Sequence, residues 1–460
     1  MRSLKRSGLA GAAVLLAASA ALAGCADDSE NDGGGSAGGT APGDGKAECE
    51  GMTEWGDLTG RDVTVYTSIV APEDQPHIDS WKVFEDCTGA DVKYEGSKEF
   101  EAQLQVRVQA GNPPDIAYIP QPGLLKTLVG TGKVVEAPEG VAANVDEFFG
   151  EDWKGYGSVD DTFYAAPLGA NVKSFVWYSP KMFADNGWEI PETWDDMMAL
   201  TDEIAKAGDI KPWCAGIESG EATGWPATDW LEDVLLRTGG PDVYDQWVNH
   251  EIPFNDDAVV EGLDTVGEIL KNEDYVNGGI GDVKSIATTP FQEGGLPILD
   301  GECALHRMAS FYAANWPEGT DVSENGDAFA FYLPPIGDEF GSPVLGGGEF
   351  VAAFSDAPEV QAFQTFLSSD TWANEKAKAT PGGGWVSANT GLEISNLSSP
   401  IDQLSAEIFQ DPEAVFRFDG SDQMPGAVGA GSFWTEMTAW IAQDQSTEDS
   451  LTKIEESWED

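Results

Sequence analysis

Glu99-Phe100-Glu101-Ala102-Gln103-Leu104-Gln105-Val106-Arg107-Val108-Gln109-Ala110-Gly111-Asn112-Pro113-Pro114-Asp115-Ile116-Ala117-Tyr118-Ile119 holds a helix, its stop signal and a strand in one run. Phe100, Leu104 and Val108 recur every fourth residue, which predicts one buried helical face. Gly111 stands where a left-handed cap closes a helix, and Pro113-Pro114 cannot continue one. Asp115–Ile119 then reads as a short buried strand. Upstream, Val63–Tyr66 reads as a strand, Ile78–Asp86 as a helix and Asp91–Tyr94 as a second strand. The order β-α-β-α-β predicts a mostly parallel sheet covered by helices, with ligands at the loops beyond the strand ends.

The same alternation resumes downstream. Phe163–Pro167, Val176–Tyr178, Trp213–Ile217, Cys303–Arg307 and Phe329–Leu333 read as strands. Thr193 starts a helix with capping-box spacing; Met197, Leu200 and Ile204 carry it toward Gly208. Ala258–Lys271 and the stretch around Val360–Leu367 are further helices. No sequence repeat occurs and no linker divides the middle of the chain. From Cys49 to the end there are about 410 residues, long for a single core, so two lobes joined by strand crossovers are expected.

The beginning of the chain reads differently. Arg2, Lys5 and Arg6 precede the small apolar run Gly8–Ala21, a secretory leader too short to span a bilayer comfortably. Leu22-Ala23-Gly24-Cys25 resembles a bacterial lipobox, which implies cleavage after Gly24 and a diacylglyceryl group on Cys25. Residues 1–24 are thus expected as signal peptide and 25–48 as a lipid-anchored tether. Rich in Gly, Ser, Asp and Pro, it reaches about 25–30 Å as a coil. The expected location is the outer face of the cell membrane.

Charge restricts the partners. Against 24 Lys and Arg stand 81 Asp and Glu, a formal net charge of −57, and the leader removes three of the cations. Nucleic acid needs a basic surface and is excluded. An anionic bilayer would repel this body, so membrane attachment is expected through the lipid alone. Such acidity serves solubility, and a saline habitat is a sharper account of it. Cys49, Cys87, Cys214 and Cys303 remain after Cys25, an even number in an exported chain. They allow three disulfide pairings, of which Cys49–Cys87 and Cys214–Cys303 are favoured as joining nearby elements of one lobe. No Cys-x-x-Cys exists and His77, His250 and His306 are scattered, so no metal site is expected. The glycine runs lack a phosphate-loop pattern, and no cofactor is expected. Gly382–Gly384 reads as a turn and Gly346–Gly348 as a flexible hinge.

Aromatic residues carry what chemistry is visible. Sixteen Trp exceed ten Tyr. Several sit in glycine-rich or polar stretches: Thr223–Trp230, Phe311–Trp316, Pro381–Trp385 and Ser432–Trp434. Indole faces stack on the C–H faces of a pyranose while nearby carboxylates and amides take its hydroxyls.

Glu95–Leu104 followed by Ala110–Ala117 resembles the amino-terminal lobe of family 1 extracellular solute-binding proteins, the substrate receptors of carbohydrate ABC importers. Asp419-Gly420-Ser421-Asp422-Gln423-Met424-Pro425 through Ser432-Phe433-Trp434 resembles the alpha-glucoside-binding branch, as does Ile119-Pro120-Gln121-Pro122-Gly123. The resemblance implies a two-lobed periplasmic-binding-protein-like α/β fold, each lobe a mostly parallel sheet with flanking helices, joined by a multi-strand hinge. It places lobe 1 at 51–167 and 349–387, and lobe 2 at 168–348 and 388–460. It also implies a monomeric receptor, not an enzyme, that hands a neutral sugar to the transmembrane subunits of an ABC permease. The ligand-binding residues expected on this basis are Gln121, Asn171, Trp225, Asp229, Trp230, Arg307, Phe311, Glu349, Trp385, Asp422, Phe433 and Trp434. Maltose-binding relatives use an Asp-Arg pair where this chain has Gln121-Pro122, which leaves the sugar open. Two rivals are an exported glycoside hydrolase and a same-fold receptor for a cationic solute such as a polyamine. The hydrolase needs two carboxylates about 5–5.5 Å or 6.5–9.5 Å apart, for which Asp229 and Glu349 are a candidate pair.

Overall fold

The computed structural model describes residues 39–278, 282–411 and 414–458. The leader, Cys25 and residues 26–38 lie outside the described residues. Eleven strands and eight helices position the site. The strands are β1 (Asp62–Thr67), β2 (Asp91–Gly96), β3 (Ile116–Ile119), β4 (Ala165–Val172), β5 (Phe175–Tyr178), β6 (Lys211–Cys214), β7 (Val276–Asn277), β8 (Cys303–Arg307), β9 (Phe329–Tyr332), β10 (Val344–Ala353) and β11 (Phe416–Phe418). The helices are α1 (Asp74–Ser80), α2 (Phe100–Gln109), α3 (Pro122–Val129), α4 (Trp225–Thr238), α5 (Asp370–Lys378), α6 (Pro400–Gln410), α7 (Gly420–Gln423) and α8 (Trp434–Ala442).

The strands form two sheets. The first runs β11-β10-β3-β1-β2 with β4 also on β10, and the second runs β9-β5-β8-β6-β7. Parallel pairs β1–β2, β1–β3, β6–β8 and β6–β7 follow from the β-α-β order read in the sequence. Antiparallel pairs enter where the chain crosses between sheets, as β4 and β10 run against each other from Ala165 to Val172. Both faces of the first sheet are covered. Val63, Val65, Ile116 and Tyr118 pack with Trp81, Phe84 and Phe363 on one face. Tyr66, Ala117 and Ile119 pack with Phe100, Leu104 and Val108 on the other. The four-residue stripe of α2 thus does what its spacing predicts. In the second sheet, Val176 and Tyr178 face one core while Phe175 and Trp177 face another.

Several local expectations change. The helix read at Ile78–Asp86 is two, α1 and Lys82–Thr88, broken at Trp81. Residues 39–48 lie along the body rather than extending the tether: Ala41 is buried and the Gly43 N–H donates to the Cys87 carbonyl at 2.8 Å. Residues 388–397 pack with the first sheet, through Thr390 N–H to the Phe148 carbonyl at 2.8 Å and buried Leu392 and Leu397. The chain passes to the second core only with α6, whose Ile401 joins Phe175 and Trp316. The disulfides are Cys49–Cys87 and Cys214–Cys303, with Cα separations of 5.4 and 5.6 Å.

Three segments meet where the sheets join. Lys173 N–H donates to the Leu345 carbonyl at 2.8 Å, and Asp419 N–H to the Gly346 carbonyl at 2.7 Å. Gly346–Gly348 are not a loose hinge but strand residues in close approach. A Cβ on Gly346 would lie 2.4 Å from the Phe416 ring, and one on Gly348 2.3 Å from the Gly169 carbonyl oxygen. Gly383 and Gly384, at φ +77° and +96°, make the expected turn.

Candidate functional site

A cavity of about 460 Å3 opens beside these crossovers and takes its walls from both sheets. That lies within the usual range of small-molecule sites, about 300–1,000 Å3. Of the twelve expected residues, Gln121, Asn171, Trp225, Phe311, Glu349, Trp385, Asp422 and Trp434 line it. Local backbone puts several of them there. Gln121 is the residue before Pro122, whose fixed φ starts α3. Gly123 lets α3 touch the Met424 carbonyl, which a Cβ would meet at 1.8 Å. The β4–β10 register shifts between Gly348 and Phe350, a bulge of the kind that re-aims the intervening side chain, here Glu349. Gly224, at φ +115°, allows the start of α4 to abut α8, where a Cβ would lie 2.2 Å from the Trp434 carbonyl oxygen. That contact brings Trp225 and Trp434 to one wall.

Asp229, Trp230, Arg307 and Phe433 are placed elsewhere. Trp230 packs edge-on to Trp213 at 5.3 Å between centroids, and Phe433 packs on Trp247 and Phe254, all inside the second core. Asp229 and Arg307 are buried in an ion-pair lattice below the cavity, 3.3 Å apart from Oδ2 to Nη1. The Asp229–Glu349 pair considered for hydrolysis is therefore not a pair of facing cavity carboxylates. The lattice runs from Lys173, which contacts Asp419 and reaches Asp229 Oδ1 at 3.0 Å, to Arg307, which donates to Asp233 Oδ2 at 2.8 Å. Arg237 also pairs with Asp233. Burial alone would push the Lys173 ammonium down, but Asp229 and Asp419 outweigh it and hold it well above the ordinary lysine value. Burial raises Asp229 to about 6 despite Lys173.

Sequence reading missed much of the wall on the first-sheet side. Glu73 and His77 of the α1 region, together with Lys376 of α5, line the cavity. Asp402 lies just behind, accepting the Gly384 N–H at 3.0 Å. Lys376 donates to Thr380 Oγ1 at 3.0 Å and sits 4.8 Å from the centre of the Trp385 ring. Burial lowers Lys376 to about 7 and raises Glu73 and Asp402 to about 7. It also raises Glu349, and it holds His77 well below its ordinary value, hence neutral. On the second-sheet side stand rings: Trp225 with Phe291 at 5.0 Å and Phe311 at 6.0 Å between centroids, then Trp316 and Trp434.

Around the cavity, many polar atoms have no hydrogen-bond partner among the described residues. His77 Nδ1, Gln121 Oε1, Asn171 Oδ1, Gln292 Oε1 and the indole Nε1 of Trp316, Trp385 and Trp434 are buried without a hydrogen bond. Unsatisfied buried groups each cost about 1–3 kcal/mol, so such a concentration marks a surface built to meet another polar molecule.

The model of the bacterial extracellular solute-binding proteins matches residues 66–374. The chain belongs to that family. Among its relatives, the osmoprotective compounds-binding protein GgtB of a Synechocystis strain is 38% identical over 414 residues, 89% of this chain and 95% of the relative. The alpha-glucosides-binding periplasmic protein AglE of Rhizobium meliloti is 37% identical over 430 residues, 90% of each chain. A solved chitin oligosaccharide binding protein superposes with a TM-score of 0.72 at 18% identity, over 86% of this chain and 97% of that one. The fold is thus the two-lobed α/β architecture of periplasmic binding proteins, with mixed sheets and flanking helices. Among the described residues no helix is long and apolar enough to cross a membrane.

Proposed function

We propose that the protein is the lipid-anchored receptor of an ABC sugar importer, holding an alpha-glucoside di- or oligosaccharide between its lobes for delivery to the permease. The observation that carries this reading is the joint presence, around one cavity, of aromatic faces and seven polar atoms with no hydrogen bond among the described residues. Sugars present apolar C–H faces and a rim of hydroxyls that both donate and accept, which matches that combination. The kinship to AglE supports an alpha-glucoside, and that to GgtB brings in osmoprotective compounds as the second ligand class. The lobes rotate about the β4, β10 and 418–420 crossings, because ligand contacts made on both walls favour the closed state differentially. Cys25 carries the lipid that holds the receptor at the outer face of the membrane, and the receptor acts as a monomer.

Calorimetric titration with maltose, trehalose, maltotriose and other neutral sugars tests the reading. Saturable heat with the sugar recovered unchanged is the expected result. Release of glucose, or heat only from polyamines, would replace it with one of the two rivals.

A further inference from the structure

The charged cluster that runs from the cavity lining into the core behind it holds three cations, Lys173, Arg237 and Arg307, and five carboxyl groups, Asp229, Glu232, Asp233, Asp419 and Asp422. Asp229, Asp233 and Asp419 each join an ion pair. Glu232 accepts from Gly420 N–H at 2.6 Å, Ser421 N–H at 3.1 Å and the Tyr244 hydroxyl at 2.9 Å. Three donors of that kind stabilise a carboxylate. Asp422 has neither support. Its carboxyl group makes no hydrogen bond or ion pair among the described residues, the residue is only 8% exposed, and it faces the cavity. An ionised group there would stand unpaired beside Asp419 and Glu232, an arrangement that protein interiors avoid by taking up a proton.

We infer that Asp422 meets the ligand as a neutral carboxylic acid, donating a hydrogen bond where an ordinary aspartate would accept one. Of the groups that face it, Lys173 favours the charged form and the carboxyl groups oppose it. Lys173 on the crossover is engaged by Asp229 and Asp419. Asp229 of α4 and Asp419 of its own turn add negative charge, and burial raises the neighbouring Glu232 carboxyl as well. Helix Gly240–Val248 brings Tyr244, bonded to Glu232, and Asp245, bonded to Arg417; α3 brings only the exposed Lys126. Burial first, and Asp419 second, push the Asp422 carboxyl well above the usual range. The inference rests on the sugar reading of the cavity and narrows it. A neutral acid selects an acceptor oxygen, hydroxyl, ring or glycosidic, and offers no counter-charge to an ammonium ligand.

Infrared spectroscopy at neutral pH reads the proton without any ligand. Among the protonated-carboxyl C=O bands of the ligand-free protein, to which Glu73 and Asp402 also contribute near neutral pH, one component should be lost in Asp422→Asn, persist in Glu73→Gln, Asp402→Asn and Glu232→Gln, and shift when the bound neutral sugar is added. Should Asp422→Asn not fold, carbon-13 labelling of aspartate in an Asp402→Asn background should move the sugar-sensitive band, and labelling of glutamate should not. A band pattern untouched by Asp422→Asn, a sugar-sensitive component lost in Glu232→Gln instead, or one that moves with labelled glutamate would overturn the inference. Failure of every neutral sugar to bind would fall on the proposed function, and the ligand-free band would still report on Asp422.

Discussion

Lys173 and Lys376 line the same cavity, both buried, each with an indole beneath its ammonium: Trp225 at 5.4 Å and Trp385 at 4.8 Å. Their chemistry diverges. Lys173 touches two carboxylates and is held well above its ordinary pKa, whereas the Lys376 ammonium hydrogen-bonds only the Thr380 hydroxyl among the described residues and falls to about 7. Acids do surround Lys376, but Glu73, Glu349 and Asp402 act on it without contact. Desolvation disfavours a buried ammonium in both places, and only direct ion pairing reverses it. One flank of the cavity is therefore a fixed charge lattice at the crossovers, and the other is a set of groups poised to change protonation near neutral pH.

The same substitution should act with opposite sign at the two sites. Lys173→Met leaves Asp229 and Asp419 without their cation and should lower stability by about 3–5 kcal/mol in denaturant unfolding. Lys376→Met should raise the melting temperature at neutral pH. The sign follows from linkage: a lysine lowered to about 7 in the fold penalises stability below that pH, and the penalty lifts as pH climbs toward the unfolded value of 10.5. The gain in Lys376→Met should accordingly shrink between those limits. Equal losses from both substitutions would break the contrast.

Asp402→Asn sharpens it by pH alone. A carboxyl raised from 3.8 to about 7 adds stability at acid pH and loses it as pH rises through that window. The difference between Asp402→Asn and the unsubstituted protein should grow in favour of the variant from pH 4 to 7, by at most about 1.4 kcal/mol per unit. Smaller again is the expected effect on binding. Trp385→Ala or Trp434→Ala should weaken the sugar at least tenfold, about 1.4 kcal/mol, by calorimetry at constant pH. An unaltered isotherm would remove that ring from the site.

The alternation of strand and helix was legible because apolar spacing is local: the α2 stripe and the Thr193 cap on Asp196 N–H at 3.1 Å need no knowledge of distant contacts. Trp225, Trp385 and Trp434 were legible as cavity residues because each sits in a glycine-rich or polar stretch, with Gly224 and Gly384 directly before the first two. Trp230 and Phe433 sit one to five residues from such rings, and only the turn of the helix sends them inward. Asp229, Asp233 and Arg237 recur at four-residue spacing on a largely apolar helix that also holds Glu232, a stripe that marks a buried charge row and was open to reading. Lys376 and Asp402 carried no such mark. Each looks like an ordinary solvent-facing helix residue, and its burial comes from segments far away in the chain.

The most direct measurement is a crystal structure of the protein with whichever neutral sugar gives the largest calorimetric heat. The account predicts the sugar against Trp225, Trp385 and Trp434, with hydroxyls on Gln121 Oε1, Asn171 Oδ1 and the indole N–H groups that now lack partners. A sugar bound away from this cavity, or those atoms still unpartnered in the complex, would contradict it.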